Sequence, residues 1–277
     1  MKLAIIGCGY VGRAVSRLWY GAGNEVTVTT TTPEKMPELQ KIASKVVVLT
    51  GNDLESLKQL VTNQDVVLLS VSSKQRTPET YRQAYLEAAQ NVVTAIKSNS
   101  GVRQLIYTSS YGIINNKSGD TIDESVVVNP QDEFSEILHQ TEQVLLSVPE
   151  TEFKSCILRL TGIYGPGREL IKIFRRAAGT TRPGTGEYYT NWVHLNDIVR
   201  GIDFAQEKQL QGIYHLNSDQ CLTIKEFLQR LLQAHDLPPV IWDSSQTSTR
   251  AFNMKLSNQK IKDAGFKFAH PQIEFEL

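Results

Sequence analysis

The sequence lacks an excess of either charge: 29 Lys and Arg stand against 29 Asp and Glu, for a formal net charge of zero. A neutral balance offers no electrostatic footprint for nucleic acid or an anionic membrane, though it permits a locally basic cleft for a phosphorylated ligand. Cysteine is scarce, limited to Cys8, Cys156 and Cys221. An odd and sparse set implies neither a disulfide framework nor a metal cluster. A reducing cytoplasm is therefore the expected location. No apolar run approaches the roughly 20 residues of a membrane helix. What the chain has is length, with 277 residues, enough to bury a large core as one large domain or two intimate ones.

Short apolar runs alternate with helical patterns through the first half. Residues 3–6, 26–30, 46–49, 66–71, 105–109 and 156–160 read as buried strands rich in β-branched side chains. Between the last few, Ala84, Ala88, Val92, Ala95 and Ile96 recur at helical spacing. This rhythm predicts an α/β fold, a Rossmann-type doubly wound parallel sheet covered on both faces. After Gly162 it breaks. Gly165-Pro166-Gly167 and Arg182-Pro183-Gly184 are turn signals. Residues 213–217 read as a strand rejoining the sheet. Thr223 opens a helix with Ile224, Phe227, Leu228 and Leu231 on one face, ended by Pro238-Pro239. The expected division is a dinucleotide-binding domain over residues 1–165, rejoined by 191–217, with a smaller C-terminal substrate lobe within 166–277.

The most informative local feature is the loop Gly7-Cys8-Gly9-Tyr10-Val11-Gly12, set between a strand and a helix. The first glycine permits the tight turn, the second lets backbone approach a pyrophosphate, and the third lets helix and strand pack closely. Gly7, Gly9, Tyr10, Val11 and Gly12 are the expected phosphate cradle, on the N–H groups of the helix start. A site for NAD wants a carboxylate at the tip of the second strand. That stretch reads Thr29-Thr30-Thr31-Thr32-Pro33-Glu34-Lys35. Thr30, Thr31, Thr32 and Lys35 suit a 2′-phosphate, so NADP is expected over NAD, with no Arg in this stretch to clamp it. Lys74 and Lys117 are further candidates for phosphate or ribose contact.

In its ordered motifs the chain resembles the extended short-chain dehydrogenase/reductase family, also called the NAD-dependent epimerase/dehydratase family. The glycine loop opens the resemblance. Gly51-Asn52-Asp53-Leu54 matches the segment whose Asp-Leu pair contacts adenine. Val67-Leu68-Leu69-Ser70-Val71-Ser72 matches a strand whose tip lines the cofactor. Tyr107-Thr108-Ser109-Ser110 matches the strand ending in the catalytic hydroxyl. Arg159 to Arg168 matches "R-x-x-x-I/V-Y-G-P-G", and Trp192-Val193-His194-Leu195-Asn196-Asp197 matches "F-V-H-V-x-D". The resemblance implies cofactor contacts at Asp53, Leu54, Ser70, Val71, Ser72 and Thr108, and a polarising hydroxyl at Ser110.

One departure cuts into the implied chemistry. The family's catalytic helix often reads "P-x-x-x-Y-x-x-x-K-x-x-x-E". Here Pro130 and Glu142 keep that register, but Phe134 replaces the Tyr and Leu138 the Lys. Neither can move a proton. The loss, with a glycine loop one residue shorter than "G-x-x-G-x-x-G", resembles an atypical subgroup of the family lacking the Tyr-Lys pair. Tyr111 and Tyr164 are candidate substitutes for the lost acid. Arg168 could pair with a substrate carboxylate or phosphate, and His194 could border the substrate, although His194 and Asp197 also read as a structural pair with Asp197 capping the next helix. The expected function is an NADP-binding oxidoreductase acting by hydride transfer on a small metabolite. The rival is a non-catalytic module that senses NADP(H) or a metabolite. Either has a small molecule as its partner, and a homodimer stays open.

Overall fold

The computed structural model describes residues 1–98, 101–116, 118–248 and 252–276; Lys117 lies outside them. Strand β1 (Lys2–Ile6) runs through the glycine loop into helix α1 (Tyr10–Gly21). Strands β2 (Glu25–Thr30), β3 (Lys45–Val48) and β4 (Val66–Leu69) follow, with α2 (Leu54–Val61) between the last two. A short helix, Pro78–Tyr81, and a π-helical turn, Arg82–Glu87, lead into α3 (Ala88–Ser98). Then come β5 (Gln104–Ser110), α4 (Glu133–Leu146), β6 (Lys154–Leu160), α5 (Leu195–Glu207), β7 (Gly212–Leu216) and α6 (Ile224–Ala234).

These strands form one seven-stranded sheet in the order β7-β6-β5-β4-β1-β2-β3. β1 pairs in parallel with β2 and β4, β2 with β3, and β4 with β5. This is the doubly wound fold the apolar rhythm predicts. Val66, Val67, Leu68 and Leu69 expose none of their surface, because helices cover both faces of a parallel sheet. Chain order reverses between β1 and β4, and ligands of such sheets bind beyond the strand ends at that switch point. Among the described residues no helix is long and apolar enough to cross a membrane.

The chain divides into two compact units. The first holds Met1–Ile113, Pro130–Arg159 and Val199–Tyr214; the second holds Ile114–Asn129, Leu160–Ile198 and His215–Leu277. This partition differs from the expected 1–165 plus 191–217 at 114–129, 160–165, 191–198 and 215–217, and backbone ladders account for most of the difference. Thr121–Ile122 pairs with Lys255–Leu256, which draws 114–129 into the second unit. Trp192–His194 pairs with Gly162–Tyr164, which keeps both within that unit. The second unit has its own core, in which Trp192 and Phe227 stack with centroids 5.1 Å apart. Thr223 caps α6 through a reciprocal box with Glu226. The helix stops at Ala234, ahead of Pro238-Pro239, and Asp236 turns left-handed (φ 52°) just beyond it.

In the first unit one ion pair is withdrawn from water. Glu142 on α4 and Arg159 on β6 have side chains 0% and 2% exposed. Arg159 Nη2 donates to Glu142 Oε2 at 2.7 Å, and Nε donates at 3.1 and 3.2 Å to the two carboxylate oxygens. Ser109 Oγ, on β5, donates to Oε1 at 2.6 Å. Removing one member strands the other charge in a dry interior, which costs about 3–5 kcal/mol. We expect Glu142→Gln to lower unfolding free energy by about that much in a denaturant titration. We expect Glu142→Leu combined with Arg159→Met to lose less than either single change. A loss under about 1 kcal/mol in Glu142→Gln would show that the pair does not hold α4 to the sheet.

Candidate functional site

Two of the loop glycines are demanded by the protein itself. Gly7 sits at φ +92°, and a Cβ there would stand 2.3 Å from the Ser70 carbonyl oxygen, just past β4. A Cβ on Gly12 would stand 2.5 Å from the Gly7 carbonyl oxygen. Gly9 is different. A Cβ there would meet nothing within 4 Å. The space beside Gly9 is left open at the N-terminal end of α1, whose first turn carries no acidic residue and whose N-cap makes no side-chain bond. First-turn N–H groups have no intrahelical acceptor and attract anions. The loop fits a dinucleotide pyrophosphate.

Thr29 holds the loop from below. Its Oγ1 accepts from Gly7 N–H at 3.0 Å, and its carbonyl accepts from Cys8 N–H at 3.0 Å. The Cys8 thiol is pushed up to about 11, chiefly by burial, so it acts as small filler. Thr30 closes the turn after β2: its Oγ1 accepts from Thr32 N–H at 3.1 Å. Thr31 and Lys35 are exposed and Thr32 is partly so. The sequence reading missed one guanidinium here. Arg13, in the first turn of α1, pairs at 2.9 Å with Glu38, which lies three residues past Lys35 in the helix Met36–Leu39.

The other positions expected to meet the cofactor lie at or beyond the ends of β3, β4 and β5. Ser70 Oγ accepts from Thr108 Oγ1 at 3.1 Å, tying the ends of β4 and β5. Val71 packs against the core of this unit and Ser72 is exposed. Asp53 is the N-cap of α2, where Leu54 begins. Its carboxylate accepts from the Ser56 hydroxyl at 2.6 Å and the Ser56 N–H at 3.0 Å, bonds that hold it below the usual carboxylate range. Gly7, Gly9, Gly12, Ser70 and Thr108 are thus brought together where β1, β4 and β5 end.

Ser110 ends β5, and its Oγ accepts from Gly112 N–H at 3.1 Å. Tyr111 begins the 3-10 turn that follows. Helix α4 starts at an Asp132–Ser135 capping box. On it Leu138 is buried, while Phe134 is half-buried and meets the edge of Tyr81.

In the second unit, Tyr164 and His194 stand together with ring centroids 5.1 Å apart. Tyr164 is fully buried; its hydroxyl donates to the Gln272 carbonyl at 3.4 Å and accepts from Glu274 N–H at 3.2 Å. Burial pushes that phenol up to about 12. The group is committed to holding the C-terminal segment. Burial, and then His270, lower the His194 imidazole. Asp197 lies inside α5, not ahead of it as a cap would, and its carboxylate accepts from Ala269 and His270 N–H at 2.7 and 2.9 Å. His194, His270 and Glu274 bring one potential metal-ligand atom each within 4.8 Å of one another. However, His194 Nδ1 accepts from Asn196 N–H at 3.2 Å, His270 Nδ1 pairs with Glu274 Oε1 at 2.5 Å, and the two imidazoles are tilted by 36° with centroids 3.8 Å apart. These ligand atoms are already engaged within the cluster and its backbone. Arg168 is exposed, and its backbone bridges to Gly165.

Comparison with known proteins places these features in a family. The model of the NAD dependent epimerase/dehydratase family matches residues 4–216. The chain is 27% identical over 191 residues to a 3 beta-hydroxysteroid dehydrogenase/Delta 5-->4-isomerase of Vaccinia virus (strain Ankara), covering 61% of this chain and about half (54%) of the relative. Among solved structures, MoeE5 in complex with UDP-glucuronic acid and NAD superposes with a TM-score of 0.78 at 17% identity, covering 95% of this chain and 92% of that one. Human epimerase family protein SDR39U1 (isoform 2) with NADPH superposes with a TM-score of 0.78 at 16% identity, covering 98% and 96%. At such identities the superpositions speak for the fold. The matched family model, over most of the chain and including the glycine loop, decides the assignment: this protein belongs to the NAD dependent epimerase/dehydratase family.

Proposed function

We propose that the chain binds NADP in preference to NAD and transfers hydride between the nicotinamide and a small metabolite. The observation that carries the reading is Gly9, a glycine that packing within the protein does not require. What requires it is a ligand whose phosphates approach the backbone. The bound nicotinamide would supply the hydride chemistry. Gly7, Gly9, Tyr10, Val11 and Gly12 would hold the pyrophosphate, and Ser70, Val71, Ser72 and Thr108 would line its path. Asp53 and Leu54 would meet the adenine.

Preference for NADP is supported by the tip of β2, which carries threonines where an NAD site wants an acid. Thr30, Thr31, Thr32, Lys35 and Arg13 would meet the 2′-phosphate. The Arg13–Glu38 pair is largely exposed on the Glu38 side, and such pairs are worth about 1 kcal/mol or less. A phosphate can therefore displace Glu38 and gain a charge-assisted bond worth about 1.5–3 kcal/mol. Ser110 would polarise the substrate oxygen, with Tyr111 near it in sequence; Arg168 and His194 would serve substrate recognition. A second reading, a non-catalytic sensor of NADP(H) or a metabolite, is favoured by Phe134 and Leu138.

Fluorescence titration of the intact protein tests the cofactor. We expect NADPH to bind about tenfold tighter than NADH, a difference of ~1.4 kcal/mol, and Arg13→Ser to erase most of that preference. Tighter binding of NADH would contradict the assignment. Oxidation of bound NADPH by small ketones or quinones supports the enzyme, and NADPH that binds but is never oxidised supports the sensor.

A further inference from the structure

The turn that leads from β3 into α2 carries Asp53 and Leu54, and it is fixed from outside. Leu49 N–H, at its start, donates to the Thr30 carbonyl at 3.1 Å, so the turn begins beside the tip of β2. Asp53 N–H donates to the Thr50 carbonyl at 3.1 Å, and Thr50 Oγ1 donates to Asn52 Oδ1. These bonds close the turn on itself. Its place is set by α3. Asn91 Nδ2 donates to the Gly51 carbonyl at 3.0 Å. A Cβ on Gly51 would stand 2.6 Å from the Ala88 Cβ and 3.3 Å from its Cα. Gly51 does not take the left-handed backbone, so the closeness of Ala88 is what calls for glycine there. All these residues belong to the first unit.

Asparagine suits a helix interior poorly, because its side chain competes for backbone bonds. Ala88, Asn91 and Ala95 share one face of α3, at spacings of three and four. Ala88 and Ala95 are buried, as are Val92 and Ile96 beside them. Asn91 is half-buried between the two alanines. An alanine at 91 would continue the apolar stripe. What asparagine adds is the donor to Gly51. Two residues past Gly51, Asp53 caps α2 through Ser56, and Leu54 then packs against the core. A shift of the Gly51 carbonyl carries both with it.

We propose that Asn91 is a positioning residue of the cofactor site: by holding the Gly51 carbonyl against α3, it presents Asp53 and Leu54 to the adenine. The inference rests on the reading above in which those two residues meet the adenine. Asn91 acts through the turn and not by touching the cofactor. With the donor gone, the turn is free to leave α3, and part of the binding energy goes into bringing it back. The loss falls on the adenosine half, since the phosphate cradle and the nicotinamide end are built from other segments.

The test uses the intact protein, calorimetry and two probes: NADPH, and 2′,5′-ADP as its adenosine half alone. Asn91→Ala should weaken both by about five- to tenfold, and by about the same factor. Asn91→Asp keeps the shape and loses the donor, so it should lose at least as much. Gly51→Ala, whose methyl drives the turn off Ala88, should repeat the pattern by a second route. Unchanged binding of 2′,5′-ADP in Asn91→Ala and Asn91→Asp, or a loss for NADPH well beyond that for 2′,5′-ADP, overturns the role of Asn91 and leaves the cofactor reading standing. A wild-type protein that does not bind 2′,5′-ADP overturns the placing of Asp53 and Leu54 on adenine, and this inference with it.

Discussion

Backbone meets backbone where β1 and β4 end, and the site depends on that approach. With 2.3 Å between a Cβ at position 7 and the Ser70 carbonyl oxygen, no side chain can be placed there. Gly12 is constrained in the same way by Gly7. The two contacts draw α1 and the segment after β4 in against the loop, and Thr29 braces it from β2. The opening beside Gly9 is the space this packing leaves. It lies at the switch point of the sheet, where a helix N-terminus and the ends of β1, β4 and β5 converge.

The buried Glu142–Arg159 pair does a different job in the same unit. It joins α4 to β6, and through Ser109 to β5, in a dry interior. The orientation of α4 is therefore set at its inner end, independently of what stands at positions 134 and 138. Position 134 is a packing site, where Phe134 meets Tyr81 and Arg76.

Much of the sheet was legible in the sequence because buried parallel strands are near-continuous β-branched runs, and each such run became a strand of the sheet. The glycine loop was legible because its spacing answers to steric contacts that only glycine satisfies. Other features were hidden for identifiable reasons. Residues 114–129 join the second unit through a two-residue ladder at Thr121–Ile122, too short to leave a periodic pattern. Arg13 sits beside the glycine loop in sequence, and only the α1–β2 packing brings it to Glu38. Tyr164 carries a hydroxyl that sequence motifs suggest for chemistry; in the fold it binds the backbone of 272–274 instead. Tyr81 lies far along the chain from Phe134, and no spacing rule links a short helix to the face of another.

The central claim is that Gly9 is a glycine for the sake of a ligand. Its most direct test is Gly9→Ala, compared with the unaltered chain for thermal stability and for NADPH binding by calorimetry. An added methyl meets no protein atom within 4 Å, so the account predicts a stability loss no larger than the ~1 kcal/mol that Ala costs at a helix N-cap, together with at least a tenfold loss of affinity, about 1.4 kcal/mol or more. Unchanged affinity, or a loss of affinity that only follows a loss of stability, would contradict it.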